Sequence, residues 1–174
     1  MNALTTLKAA LALALGVTAQ GVLAKDGTVN FSGSIIDAPC SIMGGDANQT
    51  VDLGQISNSV LAAGGVGTRS PLVDFTIKLT GCGVVAKTAR VTFAATADPA
   101  NATLLAVTGG ATGVGIQIST GGGRQVVNPG AASQNFQLRQ GDNELQFQAA
   151  YVSTSTQVRP GAANAMAQFT VSYQ

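Results

Sequence analysis

The sequence has no histidine and no tryptophan, a single glutamate (Glu144) and two cysteines, Cys40 and Cys82, among 174 residues. Without histidine there is no imidazole general base, no Ser-His-Asp triad and no imidazole metal ligand. The other ionisable side chains are seven Asp, four Lys and five Arg, so charged residues make up 10% of the chain, against about 25% in an ordinary globular domain. No run of Lys or Arg exists to displace counterions from a nucleic acid or to dock on anionic lipid, which argues against both as partners. There is no Gly-x-Ser-x-Gly or Ser-x-x-Lys nucleophile motif. The glycine clusters at 109–113 and 121–124 neither open a helical pattern nor lead into Lys-Ser/Thr, so they read as turns and not as phosphate cradles. The aspartates stand singly and form no calcium loop. No catalytic residue, metal or cofactor is expected. Glycine, in contrast, is abundant, with 22 copies.

Residues 1–24 carry Lys8, an apolar run over 9–15, the helix breaker Gly16 and the small-residue ending Val22-Leu23-Ala24. The run is much shorter than the roughly 20 residues that span a bilayer, and the pattern is that of a secretory signal. It predicts cleavage after Ala24; cleavage after Ala19, following Val17-Thr18, also fits. A mature chain from Lys25 has eight basic and eight acidic side chains, and at about 150 residues it is one domain. Two cysteines in an exported chain point to one disulfide. In the chain-entropy description, closing that loop contributes about 4 kcal/mol.

Period-2 alternation recurs along the mature chain, bounded by Gly, Asn, Pro and Ser, as expected of half-buried strands. Over 72–80 it sets Val73, Phe75, Ile77 and Leu79 on one face and Asp74, Thr76, Lys78 and Thr80 on the other. Similar segments lie at 91–93, 114–118, 136–138, 145–151 and 165–173. No stretch of helical length shows a 3.6-residue period. The expectation is an all-β, disulfide-bonded sandwich of immunoglobulin-like type, without the buried Trp of antibody domains.

The two ends are unusual for a closed sandwich, which blunts its edges. Near the mature N-terminus, Val29, Phe31, Gly33 and Ile35 share one face ahead of Cys40. At the C-terminus the chain stops on an apolar strand, Phe169-Thr170-Val171-Ser172-Tyr173-Gln174. A segment able to supply a strand and an edge able to accept one are the two halves of β-strand addition.

With Gly27-Thr28-Val29-Asn30-Phe31-Ser32-Gly33, the positions of Cys40 and Cys82, the run Pro160 to Ala165, Gly161 as the fourteenth residue from the C-terminus and the penultimate Tyr173, the mature chain resembles a major subunit of chaperone–usher fimbriae, the type 1 pilin family. The resemblance implies an incomplete immunoglobulin-like sandwich that lacks its last strand. Its disulfide joins the first strand to the end of the second. It implies a signal peptide over 1–24, a donor-strand extension over 25–34 and a pilin domain over 35–174. Val29, Phe31, Gly33 and Ile35 are then the donor strand. Gly161, Phe169, Val171, Tyr173 and Gln174 line the acceptor groove and meet the chaperone. The implied partners are identical or related pilins, a periplasmic chaperone and an outer-membrane usher, and the implied destination is the cell-surface fimbria. With a cut after Ala24, nine residues precede Ser34 and span about 30 Å. Either the donor is short or cleavage falls at Ala19. The alternative is a secreted monomeric β-sandwich binding module such as a small lectin, which would need a sandwich complete in itself.

Overall fold

Among the described residues, eight strands and one short α-helix form in the order β1 (Ser41–Ile42), α1 (Asn58–Ala63), β2 (Val73–Cys82), β3 (Thr88–Ala94), β4 (Leu105–Ala106), β5 (Val114–Thr120), β6 (Phe136–Gln137), β7 (Gly141–Ser153) and β8 (Gln168–Tyr173), with a single 3-10 turn at Gly121–Gly123 after β5. They come from a computed structural model that describes residues 28–33, 35, 38–85 and 87–174. The expected signal peptide lies outside the described residues, as do residues 25–27 and 34 of the expected donor extension.

All strand pairs are antiparallel. One sheet has five strands in the order β1-β2-β7-β5-β4, the other three in the order β6-β3-β8. Their inner faces meet in one apolar core. Ile77, Leu79, Leu145 and Phe147 of the larger sheet pack with Ala89, Val91 and Phe93 of the smaller, and Phe169, Val171 and Tyr173 of β8 lie against them half-buried. Phe147 is fully buried and is the hub of an aromatic cluster: Phe75 stacks on it at 5.5 Å, while Phe93 and Phe136 meet it edge-on at 5.1 and 5.2 Å.

The alternation in β2 is realised as expected. Phe75 pairs across to Phe147 and Ile77 to Leu145 on the core side, and on the other face Lys78 stands opposite Glu144, the two charges 3.9 Å apart in solvent. Near its end the register shifts between Leu79 and Cys82, where Gly81 takes φ +64°, a left-handed conformation that a side chain disfavours. That bulge carries Cys82 to the core, where it is bonded to Cys40, so the chain just before β1 is tied to the end of β2.

Two elements differ from the sequence expectation. The alternation over 114–118 predicts a half-buried strand, but all seven residues of β5 are buried. Residues 125–127 run along its edge beyond β4 and Leu104 presses against Gly115, and its polar Gln117 and Ser119 are buried together with its core face. The helix α1 was not expected; its six residues are fewer than two turns, too few to display a period.

Replacing Phe147 with alanine removes the hub of the aromatic cluster and is expected to cost about 3–5 kcal/mol, read as a lowered urea midpoint. Cys40→Ser with Cys82→Ser is expected to lower stability by about 4 kcal/mol; thiol titration of the unmodified protein after unfolding should find no free thiol.

Candidate functional site

The smaller sheet ends at β8, which pairs with β3 from Ala89–Tyr173 to Ala94–Gln168. Among the described residues no strand pairs with its other edge. Alternation along β8 turns Phe169, Val171 and Tyr173 inward, each half-buried, and Gln168, Thr170 and Ser172 outward. A strand of this pattern beside an empty edge leaves backbone N–H and C=O groups and apolar surface exposed together.

Beside that edge lies an open groove of about 1590 Å³. One wall is residues 158–170, ending in the first residues of β8. The other is residues 47–56, a segment that joins no ladder and contributes half-buried Val51, Leu53 and Ile56. The floor is the sandwich core itself: Phe75 and Phe93 near one end, Ile116, Ile118 and Ala149 in the middle, and Tyr151, Val114 and Leu61 near the other. Asp52 and Arg159 are the charged residues of the lining. The groove offers no nucleophile with a base beside it. Its chemistry is apolar floor plus free backbone edge, suited to an extended segment with alternate apolar side chains.

Backbone packing shapes one end of the wall. Residues 108–112 pair irregularly with 159–164, through Thr108–Asn164 and Thr112–Arg159. Gly161 lies so close to this turn that a Cβ would collide with the backbone of Gly110 and Ala111, which makes glycine necessary there. Tyr151 reaches the same wall, its hydroxyl donating to the Ala163 carbonyl at 3.0 Å.

Of the residues that the sequence assigns to the acceptor, Gly161 and Phe169 line the groove. Val171 and Tyr173 share the inward face of Phe169 but pack on the core beyond the groove, and the Tyr173 hydroxyl points to the Cys40 carbonyl at 3.5 Å. Gln174 continues the β3 ladder: its N–H donates to Thr88 O, and its own carbonyl oxygen accepts from the N–H groups of Lys87 and Thr88, each at 3.0 Å. At the other end of the chain, Val29, Phe31 and Ile35 are exposed, Phe31 at 93%. Sequence reasoning missed the wall over 47–56. Its signal was the short alternation Val51-Asp52-Leu53, followed by Ile56.

Burial pushes the phenols of Tyr151 and Tyr173 above their ordinary value of 10.0, with the nearby Asp52 carboxylate adding to the effect on Tyr151.

A sequence profile described as Fimbrial protein matches residues 29–174. The chain is 43% identical to the Major MR/P fimbria protein of Proteus mirabilis over 98% of its own length and 99% of that protein. Among solved structures, it matches a chain of a chaperone–usher pilus with a TM-score of 0.74 and 31% identity, over 86% of this chain and 96% of that one. It matches the P pilus rod subunit PapA with a TM-score of 0.69 and 30% identity, over 79% of this chain and all of PapA.

A raised phenol pKa means that the folded state holds its proton more tightly than the unfolded state. The associated stability is fully present below pH 10 and is lost as pH rises through the raised folded values. The urea midpoint is therefore expected to fall above pH 10, with a shallower fall in Tyr173→Phe and in Tyr151→Phe.

Proposed function

The chain belongs to the fimbrial protein family, and we propose that the groove beside β8 is where it receives the N-terminal segment of a second pilin. It is a non-enzymatic structural subunit of a chaperone–usher pilus with an immunoglobulin-like fold, exported to the cell-surface fimbria. Its partners are related pilins, a periplasmic chaperone and an outer-membrane usher.

One observation carries the reading of the groove: the inward-facing, half-buried residues of β8 stand at an edge with no strand beside it among the described residues, over a floor that is the core of the sandwich. An incoming strand with apolar side chains at alternate positions satisfies the backbone edge and covers the floor in one step. Val29, Phe31, Gly33 and Ile35 have that alternation, and the three with large side chains are exposed. Gly33 supplies no side chain where backbones would approach closely. Burying Val29, Phe31 and part of Ile35 contributes about 5–8 kcal/mol, and the main-chain bonds made along β8 fix the direction of the contact. Residues 25–34 serve as the donor extension and residues 35–174 as the accepting domain. Gly161 and Phe169 form part of the groove wall, while Val171, Tyr173 and the end of the chain at Gln174 extend the same strand for the chaperone to grip. Donor and acceptor are different surfaces, so each joined subunit presents a new free end and the contact propagates without closing.

Deleting residues 25–33 is expected to leave a soluble, chaperone-bound subunit that forms no filaments under the electron microscope. Filaments of normal length from the truncated chain would overturn the donor assignment.

A further inference from the structure

The two ends of the groove are closed by different means. Beyond one end, the Tyr173 hydroxyl meets the Cys40 carbonyl, and Cys40 is tied covalently to Cys82. At the other, the wall over 47–56 runs on into α1, which crosses toward the opposite wall. Asn58 Nδ2 donates to the Val158 carbonyl at 3.3 Å. Leu61, 4% exposed, packs with Val114 and Val158 in a small cluster at the end of the floor, bordered by Ile56 and Tyr151. Among the described residues, Asn58 to Val158 is the one hydrogen bond that joins residues 47–58 directly to residues 158–170.

The helix that makes this closure has little stability of its own. It has six residues, no side-chain cap from Ser57, no acidic residue in its first turn and no basic residue in its last. An isolated helix needs about 12–15 residues to be even marginally stable in water. The body of α1 is placed by what Leu61 and Asn58 hold, both at the end of the groove, while the turn that follows it is tied to β7, Gly67 N–H donating to the Ser153 carbonyl at 2.8 Å and the Ser153 hydroxyl to the Gly65 carbonyl at 2.6 Å. Val60, on the same helix, is 55% exposed and takes no part in the closure.

We infer that α1 is a latch across the groove, with Leu61 occupying the place of the terminal apolar side chain of an incoming strand and leaving it when that strand arrives. The inference rests on the reading of the groove as a strand acceptor. Exchange of one aliphatic side chain for another of similar volume keeps Val114 and Val158 covered, so the empty subunit does not expose that end of its core. The latch also selects. A strand whose last apolar residue cannot replace Leu61 leaves α1 in place and stops short of full register.

The test uses the full chain in complex with its chaperone and a synthetic peptide of residues 25–35, comparing the unmodified chain with Leu61→Ala, Asn58→Ala and Val60→Ala. Peptide uptake is expected to be at least about fivefold faster in the first two variants and unchanged in the third, because the open state is more populated. Amide hydrogen exchange over 58–63 is expected to speed up once the peptide is bound. Equal uptake rates in all four chains, or unchanged protection of α1 after capture, would overturn the latch while leaving the acceptor groove intact. Capture by none of them would overturn the groove reading, and the latch with it. If Leu61→Ala does not fold, Asn58→Ala decides the question alone, since it removes one hydrogen bond and no core volume.

Discussion

A sheet edge and the apolar floor beneath it have to be covered together, because an unpaired backbone and an uncovered core are each costly in water and a single added strand resolves both. In this protein a three-stranded sheet faces a five-stranded one, and the shortfall is concentrated on one side of β8. Most of the functional geometry follows from that deficit. The groove is the part of the core that the smaller sheet does not reach, its walls are the chain segments on either side of the gap, and its free backbone is the outer edge of β8. No dedicated polar site is needed, which agrees with a sequence holding one glutamate and no histidine.

On the proposed reading of the groove, core and binding surface are the same residues. Phe93 packs edge-on against Phe147 at 5.1 Å and also contributes to the groove floor. Five of the six phenylalanines belong to one connected aromatic cluster, joined through contacts from Phe75 to Phe169. The sixth, Phe31, lies in the N-terminal segment. A mutation in the floor acts on folding and on assembly at once, whereas the walls are more separable. Gly161 is constrained by backbone contact with the 110–111 turn, whereas residues 47–56 join no strand and are tied to β2 by the Gln49 amide donating to the Thr76 carbonyl at 3.4 Å.

Much of this was legible from the amino acids, and where it was not the reason is physical. The strands β2, β3, β7 and β8 each have one face on the core, so their alternation is visible. All seven residues of β5 are buried, the polar ones included, because the turns on either side of it fold back over it through Leu104 and residues 125–127, which the alternation within the strand does not reveal. α1 is too short to show a period, and it is folded by the burial of Leu61 and not by its own propensity. Alternation also places Val171 and Tyr173 on the correct face of β8, but it cannot tell where the groove stops. That boundary is set by how Tyr173 packs toward Cys40. The wall over 47–56 was missed because, with no strand beside it, it lacks the regular hydrogen bonding that longer alternation accompanies.

The disulfide acquires a further meaning once the chain is considered under load. A subunit pulled by its N-terminal extension receives tension along the backbone at residues 38–40. β1, the first element downstream, is two residues long and paired only with β2, so it would peel away with little resistance. Cys40 stands ahead of it and is bonded to Cys82, the last residue of a ten-residue strand that lies against β7 in the larger sheet. Force passes through sulfur into the end of β2, where it is shared by that strand's many hydrogen bonds to β7, and the two-residue strand is bypassed.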